Sequence, residues 1–206
     1  MQNHPMKLKK YKLHLSNDME DKTGLTTISL VNDPAIKQGF ITFSNEEPKM
    51  EIKFSIQEDR QIVTGPALIP DMEIFRDKPF PRTISISKEM IENTVKKFNK
   101  TGRTGNVNPE HQPFLLEGIY PFESFISDSS RGINAPTQFS HLPDHTWYLS
   151  YFVESPELWS KIKSGEFNGF SIQGFYDELE VAFSASQKEK NNLEIYNELV
   201  NIFKDL

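Results

Sequence analysis

The stretch NGFSIQGF (168–175) sets one serine, Ser171, between Phe170 and Ile172, with Gly169 and Gly174 close by on either side. A serine hydroxyl is a weak nucleophile at neutral pH and needs a base within hydrogen-bond reach. Histidine is the usual base, because its pKa lies near neutrality. The chain offers five. His4 lies in the terminal segment, His14 lies mid-strand, and His141 and His145 flank Pro143 in a polar loop. His111 is placed differently: in NPEHQ (108–112) it follows a turn at the mouth of a strand. Each residue also has an ordinary account. A serine between two apolar strand residues simply faces the other side of its sheet. A loop histidine on the surface needs no role. Glycines in a strand mark bulges or a close approach of another backbone.

The remaining inventory narrows the chemistry. With no cysteine, thiol nucleophiles, disulfides and zinc–thiolate sites are excluded. No Glu-x-x-His pair occurs, the His141-x-x-x-His145 spacing spans Pro143 in a polar loop and not one helix face, and no glycine-rich phosphate loop is present, so no metal site or cofactor is expected. GFSIQG (169–174) is not the G-x-S-x-G elbow, because two residues separate Ser171 from Gly174. The formal charge is −6 and no basic stripe is dense, so nucleic acid is not an expected partner. No apolar run approaches the roughly 18 residues of a membrane span, and MQNHPMKLKK (1–10) lacks the apolar core of a signal peptide. Sixteen phenylalanines speak for a packed core.

The elements that must position these residues follow from periodicity. Strands are predicted over 9–15, 26–31, 39–43, two within 51–70, 114–127 with Pro121 at an edge or bulge, 146–154 and 167–181. Pro79 and Pro81 mark a loop. A helix begins after the N-cap Ser87, buries Met90, Ile91, Val95 and Phe98, and ends at Gly102. A second opens at Ser155-Pro156, buries Leu158, Trp159 and Ile162, and closes at Gly165. A third places Leu193, Tyr196, Leu199, Val200 and Phe203 on one stripe. Polar stretches at 45–50 and 184–192 read as linkers. Strands come in runs, not in alternation with helices, which predicts an α+β fold with a mainly antiparallel sheet or barrel.

These residues carry a resemblance. LWSKIKSGEFNGFSIQGF (158–175) resembles the signature of the XkdF-type phage prohead serine proteases, a helix leading into GFSI.G. NVNPEHQ (106–112), EGIYPFESFI (117–126), TWYLSYFV (146–153), ISLVNDPAIKQGFITFS (28–44) and RQIVTGPALIPD (60–71) resemble further family segments in the same order. The resemblance implies a herpesvirus assemblin-like fold, a closed and mainly antiparallel β-barrel surrounded by a few helices. It implies an N-terminal strand region over 1–50 packing on the barrel, a protease core over 51–183, and a linker with an amphipathic helix over 184–206. It implies a serine endopeptidase with Ser171 as nucleophile and His111 as base. Glu123 is the candidate to orient the imidazole, with Asp177 and Glu178 as rivals. The substrates implied are phage scaffold and major capsid protein, cut inside the assembling prohead in the host cytoplasm, with a homo-oligomer possible. The alternative is a virion structural or binding module of the same fold without catalysis. No paired arginines follow the serine as they do in the herpesvirus enzymes.

Overall fold

The computed structural model describes residues 8–16, 18, 22–34, 55–57 and 60–181. The longest buried runs of β-branched and aromatic residues form the central strands, as expected for side chains that fit a pleated, packed surface. These are β2 (Gly24–Val31), β4 (Ile62–Leu68) and β9 (Trp147–Val153), each almost wholly buried. Around them lie β1 (Lys9–His14), β3 (Ser55–Gln57), β5 (Ile74–Arg76), β6 (Arg82–Ser85), β7 (Val107–Pro109), β8 (Ile119–Ile126), β10 (Gly169–Phe175) and β11 (Asp177–Val181). The predicted strand over 39–43, both linkers and the C-terminal helix fall outside the described residues.

Helix α1 (Lys88–Lys100) is capped by Ser87, whose side chain accepts the Met90 N–H at 3.3 Å. It buries Ile91, Val95 and Phe98, and Gly102 follows its end in the left-handed conformation. Helix α2 (Pro156–Lys163) is capped in the same way by Ser155 on the Leu158 N–H, with Pro156 in its first turn, and buries Leu158, Trp159 and Ile162. Pro121 sits at a bulge of β8, an edge strand, where its missing N–H costs the ladder little.

The strands make three separate sheets, in the orders β11-β1-β6-β5, β10-β2-β7 and β3-β4-β9-β8. The closed, mainly antiparallel barrel is therefore not what the chain forms. Among the described residues no sheet closes on itself, and two of the three are mixed, because β1 pairs parallel with β6 and β2 parallel with β7. Closure needs a continuous ladder from strand to strand. Here the ladder stops at β10, which hydrogen-bonds β2 and only packs against β4. On the other side it stops at three-residue β7, ended by Pro109 and a tight turn. The inner faces of the second and third sheets meet in one core, where Phe170 of β10 packs edge-on to Tyr151 of β9 at 5.6 Å between ring centres. Phe98 of α1 meets Trp147 likewise at 5.8 Å. Burying a large apolar side chain of this kind contributes about 1.5–3 kcal/mol.

Candidate active site

The alternation of β2, β7 and β10 builds the site. Ile28 and Leu30 of β2, Val107 of β7 and Phe170 of β10 enter the core. Their chain neighbours must face the other way. In register, Ser171 stands opposite Ser29, and Ser29 opposite Asn108. A single row of polar side chains thus crosses all three strands, with exposures of 8% at Ser171, 0% at Ser29 and 3% at Asn108. Buried hydroxyls and amides in a row are costly unless they bond to one another or do something else.

His111 joins this row from a turn just beyond β7. Glu110 and His111 both have positive φ, +45° and +58°, and the Gln112 N–H closes the turn on the Pro109 carbonyl at 2.8 Å. Two successive left-handed side-chain-bearing residues cost about 1–3 kcal/mol each, and such strain persists where surrounding structure imposes it. Two contacts impose it here. The Glu110 N–H donates to the Leu30 carbonyl at 2.9 Å, and the Glu110 carboxylate accepts the Asn32 N–H at 2.6 Å. The turn is thereby pinned to the end of β2. The imidazole Nδ1 comes to 2.9 Å from Ser29 Oγ. It does not bond Ser171, whose hydroxyl has no hydrogen-bond partner among the described residues.

Burial and two charges act on the ring. Partial burial holds the His111 pKa below its ordinary value, Glu110 opposes that, and the Arg76 guanidinium on β5 reinforces it. Arg76 is itself short of solvent and repelled by Arg82, and both lower its pKa. It lines, with Ser171, a mainly apolar pocket of about 50 Å³ walled by Leu13, Ile74, Ile84 and Ile172. The pocket occupies the open edge of β10, where the ladder stops.

The two glycines of the serine strand have packing roles. A Cβ on Gly169 would stand 2.8 Å from the Pro34 ring, and one on Gly174 would stand 2.4 Å from the Gly24 carbonyl oxygen. Gly174 sits at a β-bulge, and its missing side chain is what lets β2 and β10 remain together past Gln173.

Ser171 and His111 are brought to one polar face, with Ser29 between them. Glu123 is not. Its carboxylate accepts from Ser150 Oγ at 2.8 Å on the third sheet. Ser150 neighbours the inward-facing Leu149 and Tyr151, so it points to the outer side of that sheet, across the core from Ser171. Of the rivals, Glu178 is committed to Arg82, which donates to it through Nε and, at 2.6 Å, through Nη2, while Asp177 stands opposite His14 in the β1–β11 pair. Ser29, Asn108 and Arg76 were not singled out by sequence. A signal existed for the first. Ile28-Ser29-Leu30 repeats the apolar–serine–apolar pattern of Phe170-Ser171-Ile172. None existed for Arg76, because β5 and β6 lie where two prolines predict only a loop.

No group of three or more histidine, aspartate or glutamate side chains that could hold a metal occurs among the described residues. Residues 49–180, the greater part of the chain, match the model of a family described as "Putative phage serine protease XkdF". No curated protein and no solved structure matches the chain.

Proposed function

From its membership of the XkdF phage serine protease family, to which the chain belongs, we propose that it is an endopeptidase in which Ser171 is the nucleophile and His111 the general base. What carries the reading is the conjunction at β10: a serine hydroxyl with no hydrogen-bond partner among the described residues, on the polar face that His111 joins, lining a pocket. Ser171 Oγ attacks the scissile carbonyl carbon while His111 Nε2 takes its proton. The imidazolium then returns that proton to the leaving amine as the C–N bond breaks, and water hydrolyses the acyl-enzyme through the same base. The Arg76 charge favours the oxyanion as it develops, and the apolar walls beside Ser171 receive an uncharged substrate side chain. The substrates proposed are phage scaffold and capsid precursor, cut inside the immature prohead. No helix among the described residues is long and apolar enough to cross a membrane. Glu123 has no part in this mechanism.

A second reading, a virion module without hydrolysis, draws on one observation: the imidazole bonds Ser29 and not Ser171. A fluorophosphonate probe separates the two. The protease reading expects labelling mapped to Ser171, abolished in Ser171→Ala, and cleavage of scaffold or capsid precursor by the same preparation. A folded protein that neither labels nor cleaves would establish the second.

A further inference from the structure

We propose that Ser29 is the positioning residue of this site: its hydroxyl accepts the Nδ1–H of His111, fixes the ring orientation and tautomer, and so leaves Nε2 free for the Ser171 proton. The proposal rests on the Ser171–His111 reading and extends it to the seat that a carboxylate was expected to fill.

Distance is the first argument. Ser29 Oγ lies 2.9 Å from Nδ1 and is the one hydrogen-bond partner of the ring among the described residues. In a neutral imidazole one nitrogen donates and the other accepts, and the bond made by one decides the role of the other. A base for Ser171 needs an unprotonated Nε2, so Nδ1 must carry the hydrogen and Ser29 must accept it.

Proton bookkeeping is the second argument. A hydroxyl has one hydrogen to give and two lone pairs. Ser29 can therefore accept the Nδ1–H of His111 while keeping its own hydrogen. Asn108, its neighbour in the row, does not compete for that hydroxyl. Its Nδ2 donates to the Gln112 carbonyl at 2.8 Å and to Gln173 Oε1 at 3.2 Å, while its Oδ1 is buried and has no partner among the described residues. Asn108 occupies the register position facing Ser29 on β7. Its amide hydrogens are spent elsewhere and its Oδ1 makes no hydrogen bond with Ser29 Oγ, so the imidazole is the one hydrogen-bond partner of that hydroxyl among the described residues.

Access is the third. Ser29 lies in the middle strand of its sheet, with β10 on one side and β7 on the other, and is 0% exposed. A substrate carbonyl cannot reach it without opening the sheet. Ser171, directly opposite, lines the pocket. The hydroxyl bonded to histidine is thus the one that cannot attack, and the one that can attack has no hydrogen-bond partner among the described residues. A neutral hydroxyl orients the ring but supplies no charge to hold an imidazolium. The depressed basicity of His111, in which burial and Arg76 outweigh Glu110, agrees with such a partner.

Ser29→Ala and Ser29→Thr in the full chain test this, with three measurements: kcat and KM on a cleaved peptide, the mapped site and rate of fluorophosphonate labelling, and the nitrogen-15 resonances of His111. Loss of the acceptor in Ser29→Ala should lower kcat about 10–10³-fold with KM little changed, since orientation of a general base supplies part of the roughly 10²–10⁴-fold such catalysis contributes. Ser29→Thr, which restores the hydroxyl on a side chain suited to a strand, should recover most of it. The wild-type ring should show Nδ1–H, and Ser29→Ala should lose that form. Thermal melts confirm that each variant is folded. Ser29→Ala with wild-type kcat and an unchanged tautomer overturns the proposal, and so does a label mapped to Ser29. If the wild type neither cleaves nor labels, the protease reading fails by itself, and the nitrogen spectra decide on Ser29: Nδ1–H lost in Ser29→Ala upholds its hold on the ring, and an unchanged ring refutes it.

Discussion

Two buried rows of polar side chains cross this molecule, one on each side of the shared core, and they end differently. On the third sheet, Ser150 donates to the Glu123 carboxylate at 2.8 Å, which obliges Thr64 to be the donor in its 2.9 Å bond to Ser150. Each hydroxyl in that row gives its hydrogen to the next, and the row closes on a charge at the exposed edge. On the second sheet, Ser171 Oγ and Asn108 Oδ1 have no hydrogen-bond partner among the described residues, and the row meets a histidine held on a strained turn. The first row is satisfied, as buried polar groups in a stable core must be. The second keeps unmet hydrogen-bonding capacity, strain and a pocket together. The contrast separates a buried hydroxyl that completes a hydrogen-bonded row from one whose hydrogen-bonding capacity is left unspent near a histidine.

Removing one hydroxyl from each row should have opposite consequences. Ser171→Ala should lose at least about 10³-fold in cleavage rate with an unchanged melt, since removing a nucleophile removes the unit it belongs to. Ser150→Ala should keep cleavage within about threefold. It should lose about 1–3 kcal/mol of stability, because Thr64 and Glu123 are left without their shared partner. Peptide hydrolysis and urea unfolding of both variants settle the matter. If Ser150→Ala were the inactive one, the functional row would have been misassigned.

His111→Ala should match the loss in Ser171→Ala, and the double variant should be no worse than either, because residues that work as one unit are not additive. Losses that multiply would show two independent contributions.

How much of this could be read from the sequence differs between the two rows. Ser171 and His111 drew notice because each stands out locally, one between glycines and aromatics, the other after a turn, and the structure sets both on one polar face. Both helices and their serine caps were legible from cap chemistry and 3.6-residue spacing. Glu123 was misplaced because sequence proximity of β8 to His111 says nothing about which side of the core a strand faces. That depends on the parity of β9, where Ser150 alternates with Leu149 and Tyr151. The barrel failed for a related reason. Alternation predicts strands, but which strands pair and where a ladder stops is a long-range property. The parallel pairs β1–β6 and β2–β7 leave no local mark. The stretch 167–181, read as one strand, breaks at Tyr176 into two that join different sheets.

A smaller effect tests whether the β2–β10 pairing positions the row. Gly174→Ala would drive a methyl into the Gly24 carbonyl oxygen and to 2.9 Å from the Leu25 Cα, both backbone atoms that cannot turn aside. Overpacking of this kind costs about 1–3 kcal/mol. Activity should fall further than stability alone explains, because the shift separates Ser171 from Ser29. Gly132→Ala has nothing within 4 Å but sits at φ +74°; it should cost about 1 kcal/mol in stability and leave the rate unchanged. Equal activities in the two folded variants would show that the register of β10 is not what aligns the site.

The smallest expected effect is the most specific to the histidine row. The acid limb of kcat/KM reports the base of the free enzyme. Burial and Arg76 together outweigh Glu110 at His111, so the limb should lie below the ordinary histidine value of about 6.5. The same depression makes folding less favourable as pH falls through that value: the unfolded chain there binds a proton that the native ring refuses. Arg76→Gln removes a cation and should move the limb up. Glu110→Gln removes an anion and should move it down, and its amide oxygen can still accept the Asn32 N–H that anchors the turn. Both displacements should shrink at high salt, since His111 is partly exposed and such charges are screened. Glu123→Gln, in the satisfied row across the core, should leave the limb where it was. A limb that followed Glu123 and ignored Arg76 and Glu110 would transfer the base, and with it the active site, to the other row.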